Sequence, residues 1–110
     1  MYMSKTLIIK NEDVKQVLIG APKGHKHVRV YIKLKNGTAM FFQEATIANI
    51  LRAYITVKTH PNIRAQELTM KTLTVESRRE GYAAHQLLET SRNAENIEDA
   101  LQDLLEKTPT

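Results

Sequence analysis

No cysteine occurs anywhere in this 110-residue sequence, and that single absence removes disulfides, thiolate nucleophiles and zinc–cysteine sites together. It also fits a reducing compartment. Glycine and proline are nearly as scarce, at four and three residues, which excludes collagenous and low-complexity chains. With 42% hydrophobic and 25% charged residues, the composition is that of an ordinary globular protein. Long apolar runs are missing as well: none approaches the roughly twenty residues that span a bilayer. The opening MYMSKTLIIK lacks the charged region and longer apolar stretch of a secretory leader. These absences predict a cytoplasmic chain with no membrane partner. Its length predicts one domain over residues 1–110, able to bury about two-thirds of the surface of the unfolded chain.

Acid is the residue type missing locally. GAPKGHKHVRVYIKLKNG, Gly20 to Gly37, holds Lys23, Lys26, Arg29, Lys33 and Lys35 with two histidines and no Asp or Glu. The imbalance extends beyond it: residues 1–64 carry eleven Lys/Arg against three acids, and residues 65–110 five against nine. A net charge of +4 therefore divides into a basic half and an acidic half. Such asymmetry suits a polyanion partner, an acidic tail folded back on a basic body, or head-to-tail association of copies.

The patterning predicts α+β, with a small, mainly antiparallel sheet and helices on it. A first strand is expected near residues 5–9, where KTLII is β-branched and ends at polar residues. In NEDVKQVLIG, Asn11 is a good cap, Glu12 and Asp13 suit a first turn, and Val14, Val17 and Leu18 recur at helical spacing. A short helix closing at Gly20 is preferred, and a return strand through Val17 to Ile19 is the alternative. Residues 27–35 alternate strictly, Val28, Val30, Ile32 and Leu34 against His27, Arg29, Tyr31, Lys33 and Lys35, the period of a strand. Asn36-Gly37 suits a two-residue hairpin turn, returning a strand over residues 38–43. That turn sets Lys35 against Thr38, Lys33 against Met40 and Tyr31 against Phe42. Ile32, Leu34, Ala39 and Phe41 then take the core side, and Met40 and Phe42 join the basic face.

An amphipathic helix over 44–59 carries Ile47, Ile50, Leu51, Tyr54 and Lys58 on the stripe expected to lie over the sheet, and His60-Pro61 stops it. A strand is expected at 66–76, with a bulge near Lys71-Thr72 to reconcile Leu68 and Met70 with Leu73 and Val75. Ser77 to Glu80 has capping-box spacing and opens a predicted helix at 78–91, ended by Asn93. A last helix at 97–107, capped by Asn96, is striped by Ile97, Ala100, Leu101, Leu104 and Leu105.

Catalytic signatures do not emerge. Gly20 to Lys26 fails as a phosphate-cradling P-loop: its glycines are one residue too close, His25 stands in the lysine's place, no Ser or Thr follows, and a strand comes next. His25 and His27, two apart, suit a metal pair on extended backbone, but zinc wants further ligands and no carboxylate is near in sequence. The plainer reading is two exposed histidines whose protonation adds positive charge. None of Ser4, Ser77 and Ser91 lies in a nucleophile elbow. His85 is a candidate base only if it lines a cleft, and Gly81 inside a predicted helix implies close approach. The acids Glu95, Glu98, Asp99, Asp103 and Glu106 read as a solvated face.

What remains is a surface. Lys23, Lys26, Arg29, Lys33 and Lys35, interleaved with Tyr31 and Phe42, supply the cations and rings of a single-strand binding sheet. The expectation is a non-enzymatic binding module without metal or cofactor. Its basic hairpin face would engage an anionic partner, most concretely nucleic acid or another polyanion. The alternative is a homo-oligomeric assembly protein, in the simplest case a homodimer, whose basic face is covered by the acidic C-terminal helices or by another subunit.

Overall fold

The lysine-rich half of the chain folds into a three-stranded antiparallel sheet, and the acidic half contributes a two-stranded one. The computed structural model describes residues 6–76 and 83–108. In chain order the elements are β1 (Val14–Gly20), β2 (Arg29–Leu34), β3 (Ala39–Gln43), α1 (Glu44–Thr59), β4 (Leu68–Thr72), β5 (His85–Glu89) and α2 (Ala94–Lys107). The α+β class holds, in a different arrangement of elements.

The segment expected as a helix before Gly20 is instead β1, the alternative reading. Asn11–Asp13 do form one 3₁₀ turn, closed by the Lys10 amide donating to Asp13 Oδ2 at 2.9 Å. The Lys35 amide then donates to the Asp13 carbonyl at 2.9 Å and draws the chain onto the edge of β2. From there Val17, Leu18, Ile19 and Gly20 pair with Ile32, Tyr31, Val30 and Arg29. An isolated ten-residue helix is marginal in water, whereas β-branched residues beside an open strand edge gain a full ladder. The expected strand at 5–9 does not form over its described part: residues 6–10 are irregular, with Leu7 and Ile9 exposed. β2 already has a partner on each edge and leaves that segment none.

Asn36-Gly37 makes the hairpin, through a three-residue loop. Gly37 is at φ +94° and, among the described residues, only glycines have positive φ, so Asn36 cannot supply the second positive-φ position of the two-residue turn. The Leu34 amide donates to the Thr38 carbonyl at 2.8 Å and the Gly37 amide to the Leu34 carbonyl at 3.1 Å, a type I turn followed by a left-handed residue. The register moves by one: Tyr31 pairs with Phe41, Ile32 with Met40 and Val30 with Phe42. A one-residue slip exchanges the faces of a strand. Phe41, not Phe42 or Met40, therefore shares the face of Tyr31.

α1 has the bounds the sequence predicts, but its strong apolar stripe points outward. Ile50, Leu51, Tyr54 and Ile55 are 47, 51, 60 and 57% exposed. The covered side is that of Asn49, buried, with Ala53 and Thr56 half-buried. The Asn49 amide nitrogen donates to Gln86 Oε1 of β5 at 3.1 Å, and β5 is the element α1 packs against most.

β5 replaces the expected helix at 78–91 over its described part; Ser77, Glu80, Gly81 and Tyr82 lie outside the described residues. Helix propensity is worth only tenths of a kcal/mol per residue. β4, by contrast, needs a partner for its backbone groups, and finds it in Leu68↔Glu89 through Thr72↔His85. This pairing has no register shift, so the change of apolar parity marks the end of the strand and not a bulge. Leu73 adds one more bond to the Ala84 carbonyl at 2.7 Å. α2 starts three residues earlier than expected, because Asn93 and not Asn96 caps it: Asn93 Oδ1 accepts from the Glu95 amide at 2.8 Å.

Apolar burial is thin. Among the described residues only Val30, Leu34 and Ala65 are buried apolar side chains. None of the helices described is long and apolar enough to cross a membrane.

Candidate functional site

The pairing of β1, β2 and β3 stacks residues in rows across one face of the sheet. Leu18, Tyr31 and Phe41 form the central row, Gln16, Lys33 and Ala39 the next, and Gly20, Arg29 and Gln43 the last. The rings of Tyr31 and Phe41 lie 4.9 Å apart at centroids and 56° from parallel, a tilted pair of the favourable kind. Phe41 is 74% exposed and Leu18 55%, so this row stands uncovered. Beside it runs an open groove of about 460 Å³, walled by Leu18, Gly20, Pro22, Arg29, Tyr31 and Phe41.

The loop joining β1 to β2 borders the groove through Ala21 and Pro22 and carries two further cations. A turn closes it, with the His25 amide donating to the Pro22 carbonyl at 2.9 Å, and Gly24 takes φ +91°. Lys23 and Lys26 are exposed on it, as is Lys35 in the hairpin loop. Arg29 is held at the loop's root, where Nη1 donates to the carbonyls of His27 and Val28, each at 3.3 Å. Among the described residues, the ion pairs are His27–Glu44, Arg64–Glu98 and Arg92–Glu67. None of these takes Lys23, Lys26, Arg29, Lys33 or Lys35, which leaves five cations for a ligand.

The acid-free stretch does meet one acid in space. Glu44, the first residue of α1, accepts the Val28 amide through Oε2 and brings Oε1 to 3.9 Å from His27 Nδ1. This tie fixes the start of α1 against the β1–β2 loop. Among the described residues no group of three or more His, Asp or Glu is placed to hold a metal ion. His85, exposed at the start of β5, pairs with Thr72, Nδ1 to Oγ1 at 3.1 Å.

Of the residues expected at the site, the fold brings Arg29, Tyr31 and Lys33 onto one face and leaves Lys23, Lys26 and Lys35 exposed in the loops that flank β2. Phe42 it places on the opposite face, paired with Val30. Sequence reasoning missed Leu18 and Phe41, both displaced by a wrong element or register. It also missed Arg52: a second cleft, of about 450 Å³, is lined by His27, Arg29, Glu44, Asn49, Arg52 and Gln86. Arg29 borders both clefts. No protein-family model, curated protein or solved structure matches the chain.

Proposed function

We propose that this chain is a non-enzymatic binding module whose sheet face engages an anionic partner, most concretely single-stranded nucleic acid. The observation that carries the reading is the ring pair of exposed Phe41 with half-buried Tyr31, set beside Arg29 and Lys33 on a face where, among the described residues, no acid pairs with a cation. Bases stack on such rings, at about 1–3 kcal/mol each, while flanking cations track the phosphates. Lys23, Lys26 and Lys35 extend the track at its ends, and Arg52 extends it past Arg29. Sequence preference would be modest, because stacking accepts any base.

The charge-reversed double variant Lys33→Glu/Lys35→Glu tests this directly. Lys35 is exposed and Lys33 is half-buried at the sheet surface, so the fold should survive and oligonucleotide binding should be lost. Unchanged affinity in a folded double variant would refute the proposal.

A second reading has one specific observation in its favour: Leu18 and Phe41 are large, apolar and open, as at a subunit contact. The same face would then be covered in a homo-oligomer by another subunit or by an acidic C-terminal helix. In its own chain α2 has no extended packing on β1, β2 or β3, so the cover would come from a second copy. Polar replacement of Leu18 and Phe41 should dissociate such an oligomer, and an unchanged mass would exclude it.

A further inference from the structure

Two amphipathic helices in this chain each carry an apolar stripe that no element packs over among the described residues. On α1 the stripe is Ile50, Leu51, Tyr54 and Ile55. On α2 it is Leu101, Leu104 and Leu105, at 52, 56 and 51% exposed, continued by half-buried Ile97 and Ala100. α2 is joined to the body by its cap, by the Arg64–Glu98 pair at 3.2 Å and by no extended packing on another element. Helices of 14 and 16 residues owe most of their stability to a packed apolar face, and neither has one on its stripe.

The fold is more open than a compact monomer of this length. Its radius of gyration is 16.5 Å, against about 13 Å for a compact chain of this length. It exposes 9539 Å², where a folded monomer of 12.6 kDa exposes about 6,200 Å². The excess is larger than the about 800 Å² per partner of a standard interface. The three buried apolar side chains among the described residues offset little of the ordering entropy of a chain this long.

We infer that two copies exchange their C-terminal helices, the apolar stripe of α2 in one copy seating on the stripe of α1 in the other. The stripes match in length: Ile50 to Ile55, continued by half-buried Ile47, and Ile97 to Leu105 each span about 12 Å at the rise of an α-helix. They match in charge: α1 carries Arg52 and Lys58 against the single acid Glu44, whereas α2 carries Glu95, Glu98, Asp99, Asp103 and Glu106 against Lys107. Knob-forming Leu and Ile at three- and four-residue spacing on both helices suit ridge-into-groove packing. A two-fold exchange uses each stripe once and closes, leaving no free copy of either surface. The hairpin face offers α2 only Leu18, Tyr31 and Phe41, a poorer seat for its leucines. The exchange is independent of what that face binds.

The absence of cysteine makes the test clean. Leu51 and Leu101 lie near the centres of their helices, so they meet whether the helices run parallel or antiparallel. Leu51→Cys and Leu101→Cys chains, purified separately, mixed and treated with a short bismaleimide, should give a cross-linked heterodimer as the main product. The unmodified chain should sediment at twice 12.6 kDa. Leu101→Asp/Leu104→Asp should shift it to the monomer mass. Sedimentation of the unmodified chain as a monomer at about 50 µM would overturn the inference, since an obligate pair buries enough to stay associated there. So would a Leu51→Cys/Leu101→Cys double variant that cross-links only within one chain, or a dimer that keeps its mass in the double aspartate variant.

Discussion

Phe41 and Phe42 are adjacent in sequence and opposite in consequence, and replacing each by alanine separates binding from stability. Phe41 is 74% exposed. Full burial of a phenylalanine is worth about 1.5–3 kcal/mol, so the quarter of it that is covered contributes about 0.5 kcal/mol. Its contact with Tyr31 adds about 0.5–1.5 kcal/mol, giving a loss of about 1–2 kcal/mol for Phe41→Ala. Binding should suffer more in proportion: removing one stacking ring costs about 1–3 kcal/mol, or about 5- to 150-fold in Kd. Phe42 is half-buried on the other face, paired with Val30. A fully buried Phe→Ala costs about 3–5 kcal/mol, so Phe42→Ala should cost about 2 kcal/mol of stability and leave Kd near the parent value. Thermal melting reads the first quantity, and anisotropy of a labelled oligonucleotide at about 50 mM salt the second. A folded Phe41→Ala that binds like the parent would refute the stacking role. Loss of binding in Phe42→Ala with an unchanged melting temperature would restore the two-residue hairpin and contradict the register.

Three further outcomes follow from local geometry. Gly37→Ala forces an L-residue to φ +94°, although its Cβ would meet nothing within 4 Å; the cost is backbone strain alone, about 1–2 kcal/mol, read as a lower melting temperature. Asn93→Ala removes the side chain that accepts the Glu95 amide and should cost about 1 kcal/mol, visible as reduced helical signal in far-UV circular dichroism. Asn49→Ala removes a side chain only 8% exposed and its donor to half-buried Gln86 Oε1, for a loss of about 1 kcal/mol in denaturant unfolding.

Elements whose signal is local were legible. Strict alternation over residues 27–35 marks β2, and His60-Pro61 ends α1 where the structure ends it. The elements misread are those decided by a partner. Val14–Gly20 carries helical spacing, yet β2 offers an open edge and the ladder prevails. His85–Glu89 has no strong strand preference, yet β4 requires a neighbour. The hairpin shows how small a difference redirects a site: Asn-Gly signals the turn, but whether Asn36 or only Gly37 takes positive φ is not written in the dipeptide, and the answer decides which phenylalanine joins Tyr31. The cations were legible because basic residues without nearby acids stand out in sequence. Arg52 was not, since its cleft is assembled from the β1–β2 loop, α1 and β5, which the sequence does not connect. The outward stripe of α1 escaped for a related reason: an apolar stripe tells that it will be covered, not by which chain.

The most direct test of the binding proposal is anisotropy of labelled single-stranded RNA and DNA with the unmodified protein, titrated from about 50 to 200 mM salt. Contacts from Lys23, Lys26, Arg29, Lys33 and Lys35 predict binding that weakens with salt, with a log–log slope approaching about −3.5 for five phosphates on a single strand. Absence of binding at the lowest salt, or a slope near zero, would contradict the account and leave the sheet face to a subunit contact.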